Sequence, residues 1–340
     1  MKKIAAKLFA KLINWKNKRW IENPIAAQEK TLKVLIKKAS KTKFGRDHDF
    51  ASISNYMEFK SRVSINDYEG IRPYIDSIIA GDKDVLWPGK PLYLAKTSGT
   101  TSGAKHIPIT KESMPTHINS ARDAILNYII QTGNVEFLAG KQIFIQGSPV
   151  LENLNGISLG RLSGIVAHFV PSYLKKNRMP SWKTNCMEDW EDKVDAIVNE
   201  TFDQNMTVIG GIPSWVQMYF EKIIKKTGNT VGKQFPEFSL FIHGGVNFEP
   251  YQRLFDNLIG RKIDSIELFP ASEGFFAYQD KIDSEGLLLL VDNGIFYEFV
   301  EAEKFFDPDP ERISLKDVKL GVNYVLILSS NAGLWSYNIG

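Results

Sequence analysis

Thr97-Ser98-Gly99-Thr100-Thr101-Ser102-Gly103-Ala104-Lys105 places five hydroxyls, two glycines and a lysine within nine residues. Small residues let backbone N–H groups turn inward, hydroxyls add donors, and a lysine adds positive charge. Together these make a cradle for phosphate oxygens. The stretch is not a Walker A loop, because three residues rather than four separate Gly99 from Gly103, and His106 follows the lysine. His106-Ile107-Pro108-Ile109 then reads as extended chain. A flexible Ser/Gly linker is the plain alternative, and the position of the loop between apolar runs of strand length argues against it.

Outward from this loop, strand-length apolar runs at Leu92–Ala95, Gln142–Gln146, Thr207–Ile209, Ser239–Ile242 and Ile263–Phe269 alternate with amphipathic stretches. In 111–131, Met114, Ile118, Ala121 and Ile125 share one face, and in 187–202 Trp190, Val194, Ile197 and Val198 do. The alternation predicts an α/β fold with substantially parallel sheet over 90–270. Residues 1–60 read as helices, with Asn23-Pro24 opening the second and Gly45 following its end. Residues 271–340 read as strand-rich, with hairpin turns at Asp292-Asn293-Gly294 and Ser330-Asn331-Ala332-Gly333. Several strands run into small residues: Ala95 into the 97–103 loop, Ile242 into His243-Gly244-Gly245, Phe269 into Pro270-Ala271-Ser272-Glu273. Loops at the carboxyl ends of strands in an open sheet are where ligands bind, so these segments are expected to face one crevice.

Composition bounds the class. The 340 residues are 43% hydrophobic and 24% charged, enough to bury a large core. The one cysteine, Cys186, excludes an internal disulfide framework and suits a reducing, cytoplasmic setting. No apolar run approaches the length of a membrane span. The five histidines show no zinc-enzyme spacing. Charge is uneven: residues 1–50 hold fourteen Lys/Arg against four Asp/Glu. In residues 1–20 the lysines interleave with Ile4, Leu8, Phe9, Leu12, Ile13 and Trp15, as in a basic amphipathic helix. The expected arrangement is a helix laid on the body with its lysines in water; weak contact with a membrane surface or contact with nucleic acid is the sharper reading, and no nucleic-acid partner is expected.

The Thr97–Lys105 loop resembles the phosphate-loop motif of the adenylate-forming superfamily, and its Thr-Ser-Gly-Thr-Thr-Ser-Gly form resembles the GH3 family of acyl-acid amido synthetases. Phe269-Pro270-Ala271-Ser272-Glu273 is similar to the family's aromatic motif ending in Ser/Thr-Glu, and Tyr337-Asn338-Ile339-Gly340 to the start of its Tyr-x-x-Gly-Asp motif. Gly210-Gly211-Ile212-Pro213-Ser214-Trp215 and Gly244-Gly245-Val246 resemble further segments, all in the family order over about residues 20–340. The resemblance implies the large N-terminal adenylation domain, ATP and Mg²⁺ as cofactors, and a small-molecule carboxylic acid and an amine, usually an amino acid, as reactants. It implies nucleotide contacts from Thr97, Ser98, Gly99, Thr100, Thr101, Ser102, Gly103, Gly244, Gly245, Phe269, Ser272 and Tyr337. Lys105 and Glu273 become the catalytic residues, with Glu273 on the metal. The acyl pocket is expected near 111–131 and Gly211–Val216, with Arg122, Gly211 and Trp215 as its candidate residues; an ordinary surface arginine is the default for Arg122 and core packing the default for Trp215. Phe269 stands where the family commonly has Tyr, and Asn338 where it often has Arg. Since the family's ribose-binding aspartate comes next in the last motif, the gene is expected to continue past Gly340 into a lid domain.

Three competing readings stay in view. Gly156-Ile157-Ser158-Leu159-Gly160 matches a hydrolase nucleophile elbow, with His168 and His243 downstream, but Leu151–Asn155 before it reads as loop where the elbow needs a strand. An acyl-CoA ligase shares the first chemical step. A catalytically inactive scaffold needs no phosphate loop.

Overall fold

The computed structural model describes residues 2–97, 104–282 and 286–339. Five helices come first: α1 (Lys2–Glu22), α2 (Pro24–Ala39), α3 (Lys43–Asp47), α4 (Tyr56–Arg62) and α5 (Tyr68–Ala80). Pro24 opens α2, where its missing N–H costs nothing. Gly45 does not follow the end of α2 as expected. It lies inside α3, and a Cβ there would stand 2.0 Å from the Ala39 carbonyl oxygen, so close packing demands it. At α5 the Asp67 carboxylate accepts the Gly70 N–H at 2.9 Å, satisfying a donor that the helix leaves free.

The chain then builds β1 (Tyr93–Thr97), β2 (Lys105–Ile109), α6 (Met114–Thr132), β3 (Lys141–Ile145), β4 (Glu152–Leu154) and β5 (Ile157–Gly160). One sheet has the order β2-β1-β5-β4, with β1 parallel to β5. The extended reading of His106–Ile109 is correct, while 151–155 is not a loop. Asn155 and Gly156, at φ 49° and 85°, close a tight hairpin between β4 and β5, because those two residue types tolerate the left-handed region that such a turn needs. Ser158 therefore sits inside a strand, which removes the nucleophile elbow.

There follow α7 (Leu162–Ala167), α8 (Ser172–Lys175), β6 (Arg178–Met179), α9 (Trp182–Asn185), α10 (Trp190–Thr201), β7 (Met206–Gly211), α11 (Pro213–Thr227), α12 (Val231–Gln234), β8 (Leu240–Gly244), α13 (Glu249–Ile259), β9 (Asp264–Ala271), β10 (Gly274–Tyr278) and β11 (Leu288–Leu289). A seven-stranded sheet runs β11-β10-β9-β8-β7-β3-β6. Its strands β9, β8, β7, β3 and β6 are parallel, and β10 pairs antiparallel with both β9 and β11. One face, with Ile143, Ile145, Ile209 and Phe241, packs on Val194, Ile197, Val216, Phe220 and Phe255 of α10, α11 and α13. The other, with Val208, Leu240, Ile242 and Ile266, packs on Leu126, Tyr128 and Ile129 of α6 and Ala10 and Ile13 of α1. Burial on both faces is why these strands read as continuous apolar runs.

Last come β12 (Ile295–Glu301), β13 (Arg312–Ser314), β14 (Tyr324–Ser330) and β15 (Tyr337–Asn338), in the antiparallel order β13-β12-β14-β15. Ser330–Gly333 joins antiparallel neighbours, as expected. Asp292–Gly294 does not close a hairpin, since it leads from β11 into β12 of another sheet; turn residues mark a change of direction, not the partner that follows. Buried Gln28 ties α2 to this sheet, donating to the carbonyls of Val291 and Ile295 and accepting the Tyr297 N–H. Among the described residues no helix is long and apolar enough to cross a membrane.

Candidate functional site

The carboxyl ends of β7, β8 and β9 are neighbours, which brings Gly211, Gly244 and Phe269 together. At Gly244 a Cβ would lie 2.1 Å from the Leu268 carbonyl oxygen, and Gly245 has φ +85°. Both positions require glycine, and both leave bare backbone at the crevice. The Phe269 ring is held edge-on by Phe276 at 5.3 Å yet remains 41% exposed, unusual for so large an apolar group at a strand end. Beside them His243 is packed against Phe241 and Phe248, with Nδ1 buried and unpartnered. Desolvation lowers its pKa to about 4, so it stays neutral at physiological pH.

Ala271 pairs with Gly274, making Ser272 and Glu273 the two turn residues between β9 and β10. Glu273 is half-buried. Desolvation raises its carboxyl above the ordinary range, against the pull of the Lys105 ammonium. Lys105, at the start of β2 opposite Thr97, holds its ammonium 5.9 Å from the centre of the Tyr68 ring, and the Tyr68 hydroxyl accepts the His106 N–H at 3.0 Å. The Tyr337 ring is 1% exposed. Burial first, then the charges of Glu273 and Asp67 and the neighbouring Tyr68, push its hydroxyl pKa up. Three separate sheets thus supply Glu273, Lys105 and Tyr337 to one electrostatic neighbourhood.

Asn66–Tyr68 fastens that neighbourhood and was not singled out in the sequence. Asn66 N–H donates to the Ser336 carbonyl at 2.8 Å, the Asn338 N–H donates to the Asn66 carbonyl at 2.8 Å, and Asn66 Nδ2 donates to the Trp335 carbonyl at 3.1 Å. Tyr68 then reaches β2. The local signal was the Asp67 cap before Tyr68; the partners, near residue 336, leave no trace in that pattern.

The expected phosphate contacts Ser98, Gly99, Thr100, Thr101, Ser102 and Gly103 lie outside the described residues. Arg122 is engaged elsewhere: it bonds Asp123 at 2.7 and 2.9 Å and lies over Phe9 of α1. Trp215 packs on Trp190 with centroids 4.3 Å apart and joins the core beneath the sheet. Among the described residues no three His, Cys, Asp or Glu side chains gather as a metal cage. The donor set present, one partly desolvated carboxylate, fits a cation bound through phosphate oxygens and water, the manner of Mg²⁺.

The fold, a two-faced, mostly parallel sheet with flanking small sheets, is shared with solved acyl-CoA ligases and acyl acid amido synthetases. Solved 2-hydroxyisobutyryl-CoA ligase superposes with TM-score 0.58 at 13% identity, over 92% of this chain and 60% of that one. Within that class the chain belongs to the GH3 family, whose N-terminal domain matches residues 16–168 and whose central domain matches 288–340. The GH3.15 acyl acid amido synthetase solved in complex with 2,4-DB superposes with TM-score 0.80 at 17% identity, covering 97% of this chain and 67% of that one. Jasmonoyl–L-amino acid synthetase JAR4 of Nicotiana attenuata is 25% identical over 136 residues, which are 39% of this chain and 23% of that protein.

Proposed function

We propose that this chain carries the adenylating site of an ATP-dependent acyl-acid amido synthetase. The substrate carboxylate attacks the α-phosphorus of ATP in line, forming acyl-AMP and releasing pyrophosphate. An amine, in the closest chemistry an amino acid, then attacks the acyl carbonyl and AMP leaves. Phosphoryl chemistry of this kind asks the protein for positioning and charge stabilisation. Thr97–Lys105 would receive the β- and γ-phosphates, with the Lys105 ammonium facing the charge that grows on pyrophosphate. Phe269 would wall the adenine, and the bare backbone of Gly244-Gly245 would let its other face approach. Ser272 sits in the same turn as Glu273 and would reach the α-phosphate; the Tyr337 hydroxyl, its ring locked in the core, would face the nucleotide from the third sheet. Mg²⁺ held on Glu273 would neutralise the leaving group's charge. The reading implies soluble small-molecule reactants and a cytoplasmic setting.

The observation that carries this reading is the convergence of Glu273, Lys105 and Tyr337 from three sheets beside the glycine-ended strands β7 and β8 of the seven-stranded sheet, in a fold whose family members join acids to amines. ATP–pyrophosphate exchange across a panel of carboxylic acids tests it. Exchange should appear with some acids and vanish in Glu273→Ala. If no acid supports exchange while ATP still binds, the ligase reading fails. Release of AMP hastened by amino acids rather than by coenzyme A would separate it from an acyl-CoA ligase.

A further inference from the structure

The first helix presents the wrong side to the protein. Helix α1 packs on α6 through Ala6, Ala10, Ile13, Asn17 and Trp20, and its ends are tied by the Lys3–Glu136 ion pair and the Asn17–Asp123 hydrogen bond. At 100° per residue those five positions span an arc of about 80°. The opposite arc, equally narrow, holds Ile4, Leu8, Leu12 and Trp15, exposed by 67, 64, 46 and 71%. Exposed Lys7, Lys11 and Lys18 edge this stripe on one side and Lys16 on the other, and Arg19 continues it. Ala6, Ala10 and Ile13 dock the first turns while Ile4, Leu8, Leu12 and Trp15 stand in water. Single exposed apolar residues need no explanation, but a stripe of four does.

We propose that this face of α1 docks on an anionic lipid bilayer, with Ile4, Leu8, Leu12 and Trp15 entering the headgroup–acyl boundary and the flanking lysines on lipid phosphates. A rigidly held helix with an apolar stripe, an indole and a cationic border is the form that lies in a membrane interface. Charge selects the occupant. Pairing the face with a second copy would oppose two rows of cations, whereas anionic lipid satisfies them. The proposal goes beyond the adenylation reading and would hold the enzyme beside acids that partition into membranes.

Vesicle binding decides it, using the whole chain with phosphatidylglycerol and phosphatidylcholine vesicles. Sedimentation with phosphatidylglycerol at low salt should exceed that with phosphatidylcholine by about tenfold or more and reverse at high salt. Leu8→Glu with Leu12→Glu should weaken binding at least about tenfold, with melting temperature and ATP binding unchanged, since both side chains stand in solvent. A blue shift of fluorescence on binding should be missing in Trp15→Phe. Three results would overturn the proposal: no binding to phosphatidylglycerol at low salt, binding that survives the two glutamates and needs only the lysines, or a dimer in solution that the glutamates dissolve.

Discussion

Glu273, in the turn between β9 and β10, and Glu298, on β12 of the last sheet, are both pushed above the usual carboxylate range by burial, but the chain answers one and leaves the other waiting. Glu298, in the middle of β12, has no exposed surface. Arg312 from β13 stands 3.3 Å from its Oε1, and the Ser336 hydroxyl donates to its Oε2 at 2.7 Å. The same Arg312 donates to the carbonyls of Lys60 and Val63 at 2.7 and 2.6 Å, so this pair staples the helical N-terminal segment to the last sheet. Glu273, in a turn facing the crevice, is opposed among the described residues by a backbone hydrogen bond at its own turn and, more weakly, by the charge of Lys105. A buried carboxylate with its charge matched is architecture; one withdrawn from water and undermatched is suited to receive a cation from outside.

The comparison can be broken in four places. Arg312→Ala should cause the largest loss, about 3–5 kcal/mol, because it leaves Glu298 buried and unpaired; denaturant unfolding checks it, and a wild-type midpoint would mean Glu298 is not held as a charge. Glu273→Ala should cut pyrophosphate exchange about 10²–10³-fold, the scale of losing one charge-stabilising group, with no fall in melting temperature; a destabilised variant would make Glu273 a structural residue like its neighbour. Ser336→Ala should cost about 1.5–3 kcal/mol, the worth of a hydrogen bond to a charged group, measured in the same unfolding assay and without change in nucleotide affinity.

The smallest effect concerns pH. A carboxyl whose pKa is raised in the folded state binds its proton more tightly there than when unfolded, so its contribution falls as pH rises from the ordinary carboxylate value towards the raised one. Glu273→Gln should therefore melt higher than wild type at mildly alkaline pH without Mg²⁺, and the gain should disappear in acid. Equal melting at both ends would show that the site exacts no desolvation cost.

Much of the fold was legible because its signals are local. The five apolar strand runs and the helices at 111–131 and 187–202 all correspond to elements within a few residues, since a strand buried on both faces must be apolar throughout and a helix on one face must repeat with its turn. The errors fell where local chemistry is ambiguous. Leu151–Asn155 reads as loop, yet Glu152–Leu154 is a hairpin strand, and Asp292–Gly294 reads as a hairpin turn, yet its strands part to different sheets. Gly45 looked like a helix stop and proved to be a contact point. Of the candidate site, Gly211, Gly244, Gly245, Phe269 and Glu273 were legible through the resemblance of ordered motifs rather than through residue type alone. Arg122 was marked too, yet its guanidinium belongs to the joint with α1.

The sequence by itself determined the class of fold and the inventory of the proposed site: a hydroxyl-rich loop, strand ends in glycine, a carboxylate after an aromatic, all in an order that resembles a family's. It also set the amphipathic basic character of the first helix. Only the tertiary structure decided which glutamate is matched and which is open, that Asn66–Tyr68 clamps the last motif to β2, and which face of α1 meets water. Each of these depends on partners separated by tens to hundreds of residues. Periodicity reports what one element needs buried or exposed, whereas charge matching and outward-facing apolar stripes exist only once distant elements have taken their places.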